Sequence, residues 1–332
     1  MANNHGKLPF HAACNYGTVV TAKYFYQLYP ESINVADDNG WYPIYYAIAG
    51  IKVNPSNAID MVQFLLDCDP SVALQNWHGF LPIYWVCVRS SIENTPQLNA
   101  RLKVLQLLYD VHPDLIESDE IESNVTTFHP KIQTFINSQL TYARQARDLR
   151  QMNTPDENGQ LPLHKALFDN VTLGSIKLLV KSYQSAISCA NNKGMIPLHV
   201  ACHHNETPSI VEYLVNLNEV TLGTTDGEGN TALHHACIGA NHAIIALLID
   251  KYGSISVAKR NEHRQLPIDL LFESEAVSDR ESVEYIESIY RLLRAYPMTL
   301  IHYDLGETGS NDCIPQNEKK RKIDEVKKDE RR

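Results

Sequence analysis

The residues best suited to chemistry are His and Cys that recur three positions apart. These pairs are His11 and Cys14, His199 and Cys202, and His234 and Cys237. Both residue types are zinc ligands, so a metal site has to be weighed. Each pair, however, occupies the equivalent position in a segment that is repeated along the chain. Packed helices lie about 8–10 Å apart, too far for matching side chains to surround one ion. We therefore predict neither metal nor cofactor.

The sequence carries no short catalytic or nucleotide-binding motif, whether Walker loop, dinucleotide fingerprint, Gly-x-Ser-x-Gly elbow or kinase set. The segment 226–230 resembles the start of a calcium loop. Thr231 stands at the sixth loop position, which requires Gly, and Cys237 at the twelfth, which requires Glu. An active site needs convergent polar groups. We expect a protein without catalytic activity, and keep an enzyme or metal protein as the less favoured alternative.

One motif does recur along the chain. It is a polar turn with Gly, then an apolar residue, Pro, another apolar residue and often His. The steps from 162 to 197, 197 to 232 and 232 to 267 are each 35 residues, and the step from 9 to 43 is 34. Such self-similarity is typical of stacked repeats. The Pro position is held by Pro9, Pro43, Pro82, Pro162, Pro197, Ala232 and Pro267.

Segments such as 161–164 (Leu-Pro-Leu-His) and 231–234 (Thr-Ala-Leu-His) resemble the Thr-Pro-Leu-His signature of the ankyrin repeat. The resemblance covers about residues 1–304. It implies an all-α solenoid of about eight helix–turn–helix repeats, one of them, near Thr127, degenerate. It also implies that the motif His faces the hydrogen-bond network between repeats. The Cys then replaces a small buried residue.

Two domains are expected. Residues 1–304 form the repeat domain, with a weak joint at about 111–155, where the stack is either continuous or broken. Residues 305–332 are polar and are predicted to be a disordered tail. A basic cluster in this tail resembles a nuclear import signal, although nearby Asp324 and Glu325 favour a merely solubilising terminus. The cluster is Lys319, Lys320, Arg321 and Lys322.

Composition restricts the classes of partner. The net charge is −10 with 44% hydrophobic residues, which is typical of a globular protein and disfavours nucleic acid as a partner. No apolar run approaches the roughly 20 residues of a membrane span, and the N-terminus has no secretory pattern. The seven cysteines are then expected to be reduced thiols. We predict a monomer in the cytoplasm, the nucleus or both.

The resemblance also indicates where a partner protein binds. Repeat stacks present a concave surface made of turn tips and first helices. Aromatic residues there match the composition of interface hot spots, although the same rings could simply cover the stack. Tyr45, Tyr46, Tyr84 and Trp85 are expected in the core. A nuclear regulator acting through its tail and a purely structural spacer remain alternatives. The predicted contact residues are Trp41, Trp77, His78, Phe80, Arg89, Lys193, Met195, His203 and His204.

Overall fold

A computed structural model of the protein describes residues 2–88, 95–147, 153–169, 171–204, 207–253 and 256–297. Regular structure in these ranges is helical, and the strand-like pairing found there is one isolated bridge between Trp77 and Phe80. The expected all-α architecture is confirmed. Residues 305–332, for which a disordered tail was predicted, lie outside the described ranges.

The helices alternate between a short one and, in most repeats, a longer one. Their bounds are α1 Pro9–Tyr16, α2 Val19–Leu28, α3 Pro43–Ala49, α4 Pro55–Cys68, α5 Pro82–Cys87, α6 Thr95–Val111, α7 Asp119–Asn124, α8 Pro130–Arg147, α9 Pro162–Phe168, α10 Leu173–Ser182, α11 Pro197–His204, α12 Pro208–Leu217, α13 Ala232–Ile238, α14 His242–Tyr252, α15 Pro267–Glu273 and α16 Val283–Ala295. Proline suits the first position of the short helices because its missing N–H costs no hydrogen bond there.

The helices form two compact units. The first comprises Met1–Asp148 and Thr172–Ser182, and the second Leu149–Val171 and Tyr183–Arg332. In the first unit the short helices α1, α3 and α5 pack in succession, and so do α2, α4 and α6. In the second unit the short helices α9, α11, α13 and α15 form one layer, and α12, α14 and α16 form another. Each unit is therefore a stack of helix pairs. The joint predicted at 111–155 stays a prediction.

The tip of each repeat is shaped by one Asp or Asn placed six residues before the motif Pro. Oδ1 of Asp37 accepts the backbone N–H groups of Asn39 and Trp41, each at 2.9 Å. Short polar side chains commonly cap turns in this way. The turn is therefore encoded locally in each repeat. Asp156, Asn191 and Asp226 make the equivalent pairs of bonds.

The motif His joins each repeat to the next. Nδ1 of His164 accepts the N–H of Leu161 at 3.2 Å, and its Nε2 lies 3.2 Å from the carbonyl oxygen of Met195. Because Nδ1 accepts, Nε2 must carry the proton that it donates. The expected role in the network between repeats is confirmed. His11, His199 and His234 make the same two kinds of bond.

The paired cysteines are buried, as expected. Cys14 is 1% exposed, and Cys202 and Cys237 are fully buried. Burial raises the pKa of all three thiols far above the usual value. They therefore pack as small apolar side chains and hold little thiolate near neutral pH.

The degenerate repeat departs most from the pattern. The residues around Thr127 form a 3₁₀ turn, followed by the eighteen-residue helix α8 instead of a short one. Helix α6 packs directly on α10, and α8 packs on α10 as well. A buried polar chain ties these helices together: Tyr109 Oη lies 3.0 Å from Ser175 Oγ, which donates to Gln139 Oε1 at 2.5 Å. The motif pattern alone did not predict this arrangement.

The buried motif histidines that join the repeats should make the folded protein less stable in mild acid. Burial lowers the pKa of His199 and His234 from 6.5 to about 4. Between those values the unfolded chain binds protons that the folded chain refuses, so the free energy of unfolding falls as pH falls. We expect a loss on the order of 1–3 kcal/mol per histidine. Urea unfolding at pH 7, 5.5 and 4.5 measures it.

Two variants separate this effect from general acid denaturation. His234→Asn keeps an acceptor for the helix start but does not titrate, so its stability should depend less steeply on pH than that of the wild type. His263→Ala, which removes an exposed histidine at another tip, is the matched control. An unaltered slope in His234→Asn contradicts the assignment.

Candidate functional site

Three tryptophans, all that the chain contains, meet in one cluster of the first unit. Ring centroids are 5.5 Å apart for Trp41 and Trp77, 4.9 Å for Trp77 and Trp85, and 6.1 Å for Trp41 and Trp85. Trp41 and Trp77 lie at the tips of the second and third repeats, and Trp85 lies on α5. The rings meet edge-on or tilted, the arrangement that aromatic pairs favour. We call this surface the aromatic face; it consists of Trp41, Trp77, Phe80, Tyr84 and Trp85, and Tyr45 lies beneath it.

Hydrogen bonds fix the tips that carry the face. Trp77 Nε1 donates to the carbonyl oxygen of Asn39 at 2.8 Å, which links the third tip to the second. Tyr45 is buried beneath the rings, and its hydroxyl lies 2.8 Å from the carbonyl oxygen of Phe80 and 2.6 Å from that of Gln75. The aromatic face therefore rests on backbone that these hydrogen bonds hold in place.

Exposure separates the core residues from the surface ones. Tyr45 and Tyr46 are buried, as predicted. The same prediction is wrong for Tyr84 and Trp85, which are half-buried. Their rings extend from α5 to the tips, where Tyr84 stacks on Phe80 at 4.6 Å and Trp85 packs on Trp77. These two rings add aromatic surface that sequence reasoning missed.

The predicted contact residues of this region lie together. Trp41, Trp77 and Phe80 are half-buried, and His78 is exposed with its ring 4.8 Å from that of Trp77. The aromatic rings therefore both cover the turns and present surface. Arg89 lies outside the described residues. A role in binding stays a prediction for all five.

Trp85 has an unusual polar atom. Its Nε1–H is buried and has no hydrogen-bond partner among the described residues. In three other repeats the residue three after the motif Pro position pairs with the tip Asp: Tyr46 with Asp37 at 2.7 Å, Lys165 with Asp156 at 3.0 Å and His235 with Asp226 at 2.8 Å. The third repeat has Asn76 at that tip position, and its Oδ1 accepts the N–H of Gly79 instead. The indole N–H is a donor only, so it lacks an acceptor here.

The remaining predicted contacts lie in the second unit. Lys193 is exposed and Met195 half-buried, at a tip whose backbone is held by Asn191. The His203 ring lies 4.2 Å from that of His204 and 5.8 Å from that of His235. Burial, followed by the neighbouring histidines, lowers the pKa of His203 to about 4, so it is neutral at pH 7. A role in partner binding also stays a prediction for Lys193, Met195, His203 and His204.

The described residues were searched for groups of metal-ligating side chains and for helices that could span a membrane. Among them, no group of three or more His, Cys, Asp or Glu side chains is placed to hold a metal ion. In the same ranges, no helix has the length and apolar character needed to cross a membrane. The basic cluster Lys319, Lys320, Arg321 and Lys322 lies outside these ranges.

Comparison with known proteins identifies the repeat. Family models described as ankyrin repeat match residues 193–222 and 228–256. Both matches lie in the second unit, where the motif is closest to the family signature. A search of curated proteins found no match.

Two glycine substitutions test whether the tips position the tryptophans. Gly40 and Gly79 both have positive φ, at 78° and 90°, so either change to Ala should cost about 1 kcal/mol of stability. A Cβ on Gly40 meets Trp77 Cδ1 at 3.2 Å, whereas one on Gly79 meets nothing within 4 Å. We expect Gly40→Ala alone to change tryptophan fluorescence in the folded state. Equal spectra for the two variants contradict this.

Proposed function

Because this chain is an ankyrin-repeat protein, we propose that it binds another protein through the aromatic face and performs no reaction of its own. Ankyrin repeats generally mediate protein–protein interactions, and the family is typically non-catalytic. The family does not identify a partner, because fold alone does not determine function. We therefore identify the binding surface from its side chains.

The observation that carries this proposal is the convergence of the three tryptophans at half-exposed positions. Trp and Tyr dominate the residues that contribute most to binding energy at protein interfaces. They supply a large apolar area together with a polar edge. A contiguous patch of large rings on a soluble protein usually marks an interaction site. The aromatic face has these properties, and Tyr45 holds it on rigid backbone.

The groups that most resemble catalytic machinery support the non-catalytic part of the proposal. A nucleophilic cysteine needs a lowered pKa, whereas burial raises the pKa of Cys14, Cys202 and Cys237. A catalytic base needs a free ring nitrogen. His164 uses both of its ring nitrogens in the links between repeats. These cysteines and this histidine therefore have structural roles in packing and in hydrogen bonds between repeats.

Affinity capture with matched variants tests the function. We expect Trp41→Ala/Trp77→Ala/Phe80→Ala to lose a partner protein that the wild type captures from lysate, by at least about tenfold, because hot-spot side chains each contribute about 2 kcal/mol or more. Quantitative mass spectrometry of the captured proteins measures the difference. Circular dichroism melting first establishes that both proteins are folded.

The control removes three exposed side chains, each with a large apolar area, from another helix of the same unit. Val20, Tyr24 and Leu28 are 77%, 59% and 66% exposed on α2. Val20→Ala/Tyr24→Ala/Leu28→Ala should capture the partner like the wild type. If this control loses the partner and the aromatic-face variant keeps it, binding lies elsewhere and the proposal is wrong.

A further inference from the structure

We infer that the protein has a second binding surface, on the short helices of its second unit, which takes an acidic and partly apolar segment of a partner protein. Carboxylates of this segment lie against Lys193 and His204, and an apolar side chain packs on Phe168. Three observations point to it: a series of contacting rings, an exposed phenylalanine among them, and a lysine that makes no ion pair within the described residues. This surface is separate from the aromatic face and does not depend on it.

The rings of this surface come from three neighbouring short helices. Phe168 ends α9, and its ring centroid lies 4.5 Å from that of His204, which ends α11. The His203 ring lies 4.2 Å from that of His204 and 5.8 Å from that of His235 on α13. Phe168 is 57% exposed and His204 is exposed, so a ligand reaches both rings directly. We call Phe168, His203, His204 and His235 the histidine cluster.

The electrostatic surroundings of the histidine cluster favour an anion, although the chain as a whole carries a net charge of −10. Burial lowers the pKa of His203 most, and His204, His235 and the exposed Lys193 lower it further. Burial and then His235 lower the pKa of His204. No acidic side chain among the described residues counteracts these shifts. A carboxylate of a partner is therefore attracted to this surface without competition from a neighbouring acid.

The acidic side chains on the surrounding elements are bound to other groups or do not act on these two histidines. Asp226 accepts a hydrogen bond from His235 at 2.8 Å and two more from backbone N–H groups of its own tip. Asp156 pairs with Lys165 at 3.0 Å. Glu206 lies outside the described residues. The other acidic residues of these elements, which influence neither pKa, are Glu157, Asp169, Glu212 and Glu228.

The side chains of this surface define the ligand. Lysine ammonium and protonated imidazole both donate charge-assisted hydrogen bonds to carboxylate oxygens. Because its pKa lies below 6.5, His204 is mostly neutral at pH 7.5, and a carboxylate placed beside it raises that pKa. Binding therefore takes up protons and strengthens as pH falls. An extended chain advances about 3.3 Å per residue, so acidic residues a few positions apart reach both Lys193 and His204.

Calorimetric titration of the full chain tests the ligand. The probe is a short peptide of Glu, Leu and Gly, compared at pH 7.5 with peptides that carry Gln or phosphoserine in place of Glu. We expect the Glu peptide to bind about tenfold more tightly than the Gln peptide. Between pH 7.5 and 6.0 its affinity should rise about threefold. Titrations in two buffers of different ionisation enthalpy should show the proton uptake.

Three substitutions at exposed positions assign the contacts without removing core side chains. His204→Gln keeps a polar side chain that does not titrate, so it should weaken binding and abolish most of the proton uptake. Lys193→Gln should weaken binding about three- to tenfold and keep the proton uptake. His263→Gln, which removes an exposed histidine at another tip, is the matched control and should bind the Glu peptide like the wild type. Circular dichroism at each pH establishes that all the proteins are folded.

Several outcomes overturn this inference. They are equal affinity for the Glu and Gln peptides, binding of the phosphoserine peptide alone, no proton uptake by the wild type, or wild-type affinity in both His204→Gln and Lys193→Gln. If the aromatic-face variant loses its captured partner but the Glu peptide does not bind, this inference fails and the proposed function stands. If the Glu peptide binds as expected but capture does not depend on the aromatic face, the proposed function fails and this inference stands.

Discussion

The hydrogen bonds of the motif histidine are the interaction on which the repeats depend. The Nδ1 atom of this histidine accepts a hydrogen bond from the backbone N–H that precedes the short helix. Its Nε2–H donates to a backbone carbonyl of the next repeat. His164 does so between Leu161 and Met195, and His234 between Thr231 and Gln265. Both nitrogens are engaged only when the ring is neutral. The same arrangement therefore explains the stacking and the lack of a free imidazole nitrogen at these positions, whereas burial lowers the pKa of His199 and His234.

The aromatic face exists because the second and third repeats replace this histidine. Tyr45 and Tyr84 occupy its position. The hydroxyl of Tyr45 reaches the carbonyl oxygen of Phe80, which is equivalent to the oxygens of Met195 and Gln265 that the histidines bind. The substitution thus keeps the bond to the next repeat. It also brings a ring beneath the tips, on which Trp41 and Trp77 pack.

The residue after the motif histidine position closes the tip in three repeats. Tyr46, Lys165 and His235 each bind the Asp of their own tip. Trp85 occupies the same position, but its tip carries Asn76, which is bonded to Gly79. A change of two residues thus converts a closed tip into one with an unsatisfied donor. That donor distinguishes the tip of the third repeat from the tips closed by Tyr46, Lys165 and His235.

The sequence by itself determined the repeat, the helical class, the buried cysteines and the role of the motif histidines. These features follow from local periodicity and from hydrogen bonds that each repeat makes in the same way, so one copy predicts the others. Only the tertiary structure decided that Trp85 and Tyr84 leave the core, because their exposure depends on rings contributed by two tips. It also decided the packing of α6 on α10, because Tyr109, Gln139 and Ser175 meet across distant parts of the chain. Contacts between residues far apart in sequence leave no periodic pattern to read.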